Sequence, residues 1–446
     1  MHFLTAHDSR PQTQCAAKYP ARTQCPIAGI SCGRLLLLAL CACLTASAAL
    51  GGGTGPQPVT RSPNHVCLSV DGLKAFVTNQ TSNSVSVLDL VARKVVAEIP
   101  VGPFPSYAVP SPDGQKLYVS CTFGAQVDVI DLPGGTVIGS VPVGDEPHGL
   151  ALSPDGQTLY VANSLSGTLS IIDLPSAQSK YTIPVGREPR FVTPIPGGSR
   201  LLVGSSLSRS IAVVDTATGH VLETRDLDRG NLARQVACTS DGRWGFVAHV
   251  ISQDKFPPMQ MERGMIHANG FSILDLEKPG HRVTLLLDHL LLGAANPWGL
   301  AVSSDDRHLF VSLAGVHEIA IVDLAKVVSL VTQLRPEEIE PLAQNLEIMQ
   351  RQDILRRVAS GGLGPRGIAL DEKRGALLVA NYFSDSIAIL DAHSGAVRAV
   401  IPLGPHQEMT SWRRGEMLFN DARLCFQQWF SCASGNTIWN WLPKPI

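Results

Sequence analysis

The stretch VCLSVDGLKAFVTNQTSNSVSVLDL, residues 66–90, returns as YAVPSPDGQKLYVSCTFGAQVDVIDL at 107–132 and as LALSPDGQTLYVANSLSGTLSIIDL at 150–174. The turn aspartates Asp71, Asp113 and Asp155 stand 42 residues apart, as do Asp89, Asp131, Asp173 and Asp215, which close the third apolar run of each copy. Later copies end at Asp275, Asp323 and Asp391, stretched by insertions, which makes seven copies. Each copy reads as four short strands. The first ends in an Asp-Gly-type turn, as at Asp71-Gly72, Asp113-Gly114, Asp155-Gly156 and Asp241-Gly242. The second carries Phe76-Val77-Thr78-Asn79 or Tyr160-Val161-Ala162-Asn163, the third alternates in polarity, and the fourth closes on Pro-Val-Gly or Pro-Leu-Gly. One four-stranded sheet cannot bury both faces, but sheets stacked round an axis can. Four strands per repeat of about 42 residues therefore predict an all-β fold, a seven-bladed β-propeller of antiparallel blades over residues 64–405.

Composition agrees. In 446 residues, 36 Lys and Arg face 38 Asp and Glu, a net charge of −2, which argues against a nucleic-acid binder working through a basic face. Charged residues are only 17%, hydrophobic residues 44%, and 40 Gly with 31 Pro give a high turn density. That balance suits many short strands and argues against extended disorder.

Ahead of the repeats lie an N-terminal extension, 1–48, and a linker, 49–63. Arg34 precedes the apolar run LLLLALCACL at 35–44, and Ala46-Ser47-Ala48 follows as a small-residue cleavage pattern. This order predicts an export signal cleaved near Ala49, and so a periplasmic, cell-surface or extracellular protein that meets the membrane only through that segment. An uncleaved anchor is the alternative, and Cys41 fits a lipoprotein signal poorly. The stretch before Arg34 is long for a signal and suggests a start codon placed too early. The mature chain keeps Cys67, Cys121, Cys238, Cys425 and Cys432, an odd, sparse set unlike a disulfide framework. The first three fall in strand patterns and read as small buried apolar residues.

Two insertions break the period, at 251–269 in blade five and at 325–353 in blade six, the latter reading as one or two short amphipathic helices with residues 354–359 supplying a fourth strand. The residue after each inter-blade proline is expected at the central funnel: His148, Arg190, Trp298 and Arg366, with Arg234 equivalent in blade five. Three arginines and a histidine round one funnel would attract an anion, although the same side chains could simply satisfy neighbouring carbonyls and acids. In the first insertion Met259, Met261, Met265, His249 and His267 could hold a soft metal or line a lid, but no fixed ligand spacing supports a metal. Asn79, Asn163 and Asn381 are read as turn-closing residues. No nucleophile elbow or phosphate loop occurs, so no catalytic residue is assigned.

The Phe76–Asn79, Tyr160–Asn163 and Val379-Ala380-Asn381 strand ends and the repeated Pro-Val-Gly closures resemble the YVTN family of β-propeller repeats. The final segment, 406–446, contains Arg413-Arg414-Gly415-Glu416-Met417-Leu418-Phe419-Asn420-Asp421-Ala422 and then the run CFQQWFSCAS at 425–434. It resembles the opening of a di-haem cytochrome c peroxidase-like domain of the type fused behind such propellers. The resemblance implies a C-x-x-C-H haem motif at this point. Cys432 matches its first cysteine, but Gly435 and Asn436 stand where the second cysteine and the histidine belong, and no C-x-x-C-H occurs anywhere in the sequence. The segment reads as a remnant with its haem sites lost, and no cofactor is expected. Three functions compete: an exported, non-enzymatic binding scaffold for an unknown protein or small anionic ligand; a haem redox protein of the peroxidase-fusion type; and a propeller lyase or hydrolase with a metal in its funnel.

Overall fold

The computed structural model describes residues 60–227, 230–252 and 267–435. The expected signal segment, Met259, Met261, Met265 and Asn436 lie outside these residues. The twenty-nine strands of the described residues form seven sheets, six of four strands and one of five, in which sequence order is spatial order, so every blade is one contiguous stretch of chain. Blade one is Pro63–Leu68, Lys74–Asn79, Ser84–Asp89 and Lys94–Pro100, and blade seven is Pro365–Asp371, Ala376–Asn381, Ser386–Asp391 and Val397–Pro402. The first strands contact one another in a closed ring, with Pro365–Asp371 returning to Pro63–Leu68. The protein is a seven-bladed β-propeller.

Burial follows position in the blade. Second strands such as Ala376–Asn381 are buried throughout, whereas outer strands such as Thr136–Pro142 bury a single residue. Apolar clusters lie between adjacent sheets, as where Val66, Val77 and Leu88 of blade one meet Leu378, Ile387 and Ile401 of blade seven. These interfaces supply the apolar burial that a lone blade lacks.

The repeated aspartates act on turns. Asp71, Asp113, Asp155 and Asp241 each accept from the backbone amide two residues on, closing the first hairpin. Asp89, Asp131, Asp173, Asp215, Asp275 and Asp391 accept from backbone amides two or three residues on after the third strand. In blade six the same position caps a helix instead, because Asp323 accepts from Lys326 N at 3.0 Å.

Helix Leu324–Gln333 buries Leu324, Val327 and Val331, one stripe at helical spacing, against the core of blades five and six. Helices Pro336–Leu342 and Ile348–Arg351 follow, three helical segments where the sequence suggested one or two. Strand Leu355–Ala359 then completes the blade against Glu318–Asp323.

Blade five departs in another way. Its central strands, Trp244–Ser252 and His267–Asp275, are nine residues long and paired through Ser252↔His267, so the two ends of the expected 251–269 insertion, 251–252 and 267–269, continue the hairpin. Its first strand is split into Gly230–Asn231 and Val236–Cys238. Asn79 and Asn163 do span the second hairpin turn, donating to Ser84 and Thr168 at 3.1 Å, but through side-chain hydroxyls rather than backbone, and each also donates deeper, to Ser86 at 2.7 Å and Ser170 at 2.9 Å. Asn381 donates to the Ser360 carbonyl at 3.4 Å.

Candidate functional site: an arginine-lined axial funnel under a docked tail

Every first strand begins alike. A residue with φ between 50° and 66° turns the chain (Ser62, Phe104, Glu146, Glu188, Leu232, Asn296, Gly364). Proline follows, or Ala233 in blade five. The next residue stands at the ring: Asn64, Ser106, His148, Arg190, Arg234, Trp298 and Arg366. The shared turn puts Arg234 in the same position as His148, Arg190, Trp298 and Arg366. In six blades a register shift follows at once, re-aiming the side chain.

The side chains interlock. Trp298 of blade six carries a guanidinium from the blade on either side, Arg234 at 4.0 Å and Arg366 at 4.4 Å from a ring centroid. Arg366 also lies 3.4 Å from the Tyr382 ring and donates from Nη1 to Asn64 Oδ1 and Gln80 Oε1 at 3.1 and 3.3 Å. Arg190 donates from Nε to Glu188 Oε1 at 2.8 Å. His148 Nδ1 lies 3.1 Å from the Arg190 carbonyl, and burial first, then Arg190 and Arg234, push its pKa well below the usual histidine range.

One residue deeper, the axis is blocked. Tyr107 of blade two reaches Gln235 of blade five, with 3.5 Å between its hydroxyl and Nε2. His65 stacks on Tyr107 at 3.5 Å between centroids, and Phe191 packs edge-on to both Tyr107 and His148. Gln235 Oε1 in turn accepts from Leu300 N. The funnel is therefore a cup with an aromatic floor, lined by cations.

On the same face lies the tail. Helix Ser411–Asn420 is capped by Thr410 and sets Arg413 against Tyr382 and Phe383 of blade seven, 4.5 and 4.8 Å from their ring centroids. Asp421 lies 3.4 Å from His317 Nε2 and Ala422 N donates to the Gly315 carbonyl, both in blade six. Trp429, fully buried, packs with Ile251, Ala268, Leu286 and Leu346, and its carbonyl accepts from Asn269 Nδ2 at 3.0 Å. The tail thus crosses blades seven, six and five in turn. Its outer side exposes Trp412 (62%), Leu424 (64%) and Phe426 (55%).

Of the remaining candidates, the two described histidines do not converge. His249 Nε2 is engaged by Ser272 Oγ at 2.8 Å, and burial lowers its pKa to about 4. Strand register puts His249 opposite Gly270 and His267 opposite Ser252, so the two histidines project from opposite faces of the hairpin. Among the described residues no three metal-ligating side chains come together. Cys67, Cys121, Cys238, Cys425 and Cys432 are free thiols, and burial pushes Cys67 and Cys238 up to about 12. Cys432 is exposed, at the start of a single helical turn that ends at Gly435.

Sequence reasoning did not find Glu188, Tyr382, the Tyr107–Gln235 floor or the docking of the tail. Glu188 lay within reach, since it is the left-handed residue two before Arg190 in a repeat already aligned. The floor and the tail depend on contacts across the axis and across 160 residues, which no local spacing encodes.

A seven-bladed propeller with a cationic cup on one face and a docked C-terminal segment is the class of protein these features define. No protein-family profile matches the chain. A solved chain of hydrazine synthase from Kuenenia stuttgartiensis is 31% identical, with 76% of this chain and 98% of that one covered at a TM-score of 0.72. The present chain belongs to that chain's family. The hydrazine synthase subunit beta of the same organism is 31% identical over 174 residues, which is 39% of this chain and 45% of that subunit, so the aligned stretch spans less than half of it. Two further solved structures share the fold alone. One is a protein of unknown function from Desulfotomaculum acetoxidans, at 16% identity, a TM-score of 0.55 and coverage of 73% and 94% of the two chains. The other is the Cps50 (Swd1) propeller domain of Myceliophteria thermophila, at 14% identity, 0.53 and coverage of 74% and 97%.

Proposed function

We propose that this chain is an exported, non-catalytic propeller subunit, a scaffold that assembles with other subunits in the manner implied by the name of its relative, hydrazine synthase subunit beta. The observation that carries this reading is the docked tail. It is folded onto the propeller by Arg413, Asp421 and Trp429 and presents Trp412, Leu424 and Phe426 to solvent. Aromatic residues exposed on an otherwise well-packed segment are the composition of an interface core. The absence of C-x-x-C-H from the sequence supports a subunit without haem of its own.

The test is to purify the full chain from its source. Recovery in a complex of fixed stoichiometry by native mass spectrometry, with the separated chain lacking a Soret band after acid–acetone extraction, is expected. The W412S/L424S/F426S triple variant should leave that complex while keeping its own circular dichroism. A lone, monomeric wild-type chain, or covalent haem on this chain, overturns the reading.

A further inference from the structure

The three funnel arginines are not equivalent. Arg190 is neutralised by Glu188. Arg366 spends its Nη1 on Asn64 and Gln80, and its charge is also met by Glu416. Arg234 is 92% buried, with 8% of its surface exposed, and its guanidinium face lies against Trp298. Among the described residues no acceptor bonds its side-chain N–H groups, and none of those atoms is both buried and unpartnered, so its edge opens to solvent. Stacking on an indole satisfies the face of a guanidinium and leaves its edge, five donors in one plane, unused. A mostly buried cation whose donor edge opens toward the axis offers that edge to an anion entering there. Burial, with Arg190 next, holds Arg234 down at about 9, far below an ordinary arginine.

We propose that Arg234 anchors a small-anion site in the axial cup, taking a planar, singly charged oxyanion of the monocarboxylate type. Planarity follows from the donor fork, which matches two coplanar oxygens. Single charge follows from the local balance, in which Glu188, which also acts on Arg234, and Glu146 beside Arg190 already offset part of the ring's positive charge. Arg190 and Arg366, engaged by Glu188 and by Asn64 and Gln80, do not compete for the ligand. The Tyr107–Gln235 contact closes the cup from below, so the ligand enters and leaves by the tail-bearing face.

The site is independent of the assembly reading and is tested on the isolated full chain. Acetate and formate are titrated at constant ionic strength, with sulfate as a tetrahedral comparison, following Tm and tryptophan fluorescence. Wild type and R351M, an exposed helix position, should both show a saturable rise in Tm with acetate or formate and a weaker response to sulfate. R234K should lose about tenfold in affinity, because an ammonium lacks the fork, and R234M should not respond. No saturable response in wild type, or an unchanged response in R234M, overturns the proposal. Should R234M fail to fold, an R234K affinity equal to wild type overturns it equally.

Discussion

Arg413 donates from Nη2 to the backbone carbonyl of Tyr382 and lays its guanidinium 4.5 Å from that residue's ring centroid. Arg366 of the funnel lies 3.4 Å from the same ring. One buried tyrosine thus joins the tail to the wall of the cup. Tyr382→Leu removes the ring from both cations and the hydroxyl from Glu416, which it meets at 3.2 Å. We expect amide protection of residues 411–420 to fall and the acetate affinity of the funnel to drop together, while strands of blades one to four keep their protection. Hydrogen exchange with and without acetate reads both, and unchanged protection of the helix would show that the tail is held elsewhere.

Trp429 is the largest fully buried side chain among the described residues and the far anchor of the tail. Truncation of a buried tryptophan to alanine costs about 3–5 kcal/mol. Here the loss falls on a peripheral segment, so Trp429→Ala should release the tail before the propeller melts. Limited proteolysis should cut between residues 406 and 430 in the variant at protease levels that spare wild type.

Gly149, Gly299 and Gly367 each follow a funnel residue, and a Cβ there would meet the backbone of the next first strand. It would fall 2.6 Å from Arg190 O, 2.4 Å from Arg366 O and 2.7 Å from His65 Cα. Adjacent blades therefore touch backbone to backbone at the axis. Gly299→Ala should destabilise by about 1–3 kcal/mol through overpacking. A urea midpoint equal to wild type would mean that the ring yields easily at this point.

The propeller was legible because turn chemistry is local. Each Asp-Gly hairpin and each strand-ending aspartate makes its bonds within a few residues, so a period of 42 survives in the sequence wherever no insertion intervenes. Candidate funnel residues were legible for the same reason, since Pro-x marks the start of each first strand. What each arginine does was not legible. Whether Arg190 is neutralised depends on a carboxylate two residues away whose backbone is turned by a positive φ, and the burial of Arg234 against Trp298 depends on the neighbouring blade. In the tail, the sequence alone shows that Gly435 and Asn436 follow Cys432 where a C-x-x-C-H would need cysteine and histidine. The residues that fix its place here, Arg413, Asp421 and Trp429, find their partners in blades five to seven, beyond the reach of any local pattern.

Acid should destabilise the fold through its buried histidines. Burial holds His65 at about 3, His249 at about 4 and His148 well below 6.5. In the unfolded chain these rings take up protons near pH 6.5, whereas the folded ones refuse them. Their contribution is therefore complete above pH 6.5 and is lost as pH falls from there toward about 4, at up to about 1.4 kcal/mol per pH unit for each ring. Asp288 has the opposite sign. Burial, partly offset by bonds from the Asn269 and Ala294 amides, raises its carboxyl from 3.8 to about 6, so its proton is taken up more readily in the fold and its contribution grows as pH drops through 6. Three histidines outweigh one aspartate, and stability should decline on acidification. His249→Asn removes one ring and should make that decline shallower. Asp288→Asn removes the opposing group and should make it steeper, although it also weakens the fold at neutral pH by disturbing the bonds from Asn269 and Ala294. Chemical denaturation at several pH values between 4.5 and 7 measures these slopes, and a wild-type stability that is flat or rising toward acid would contradict the argument.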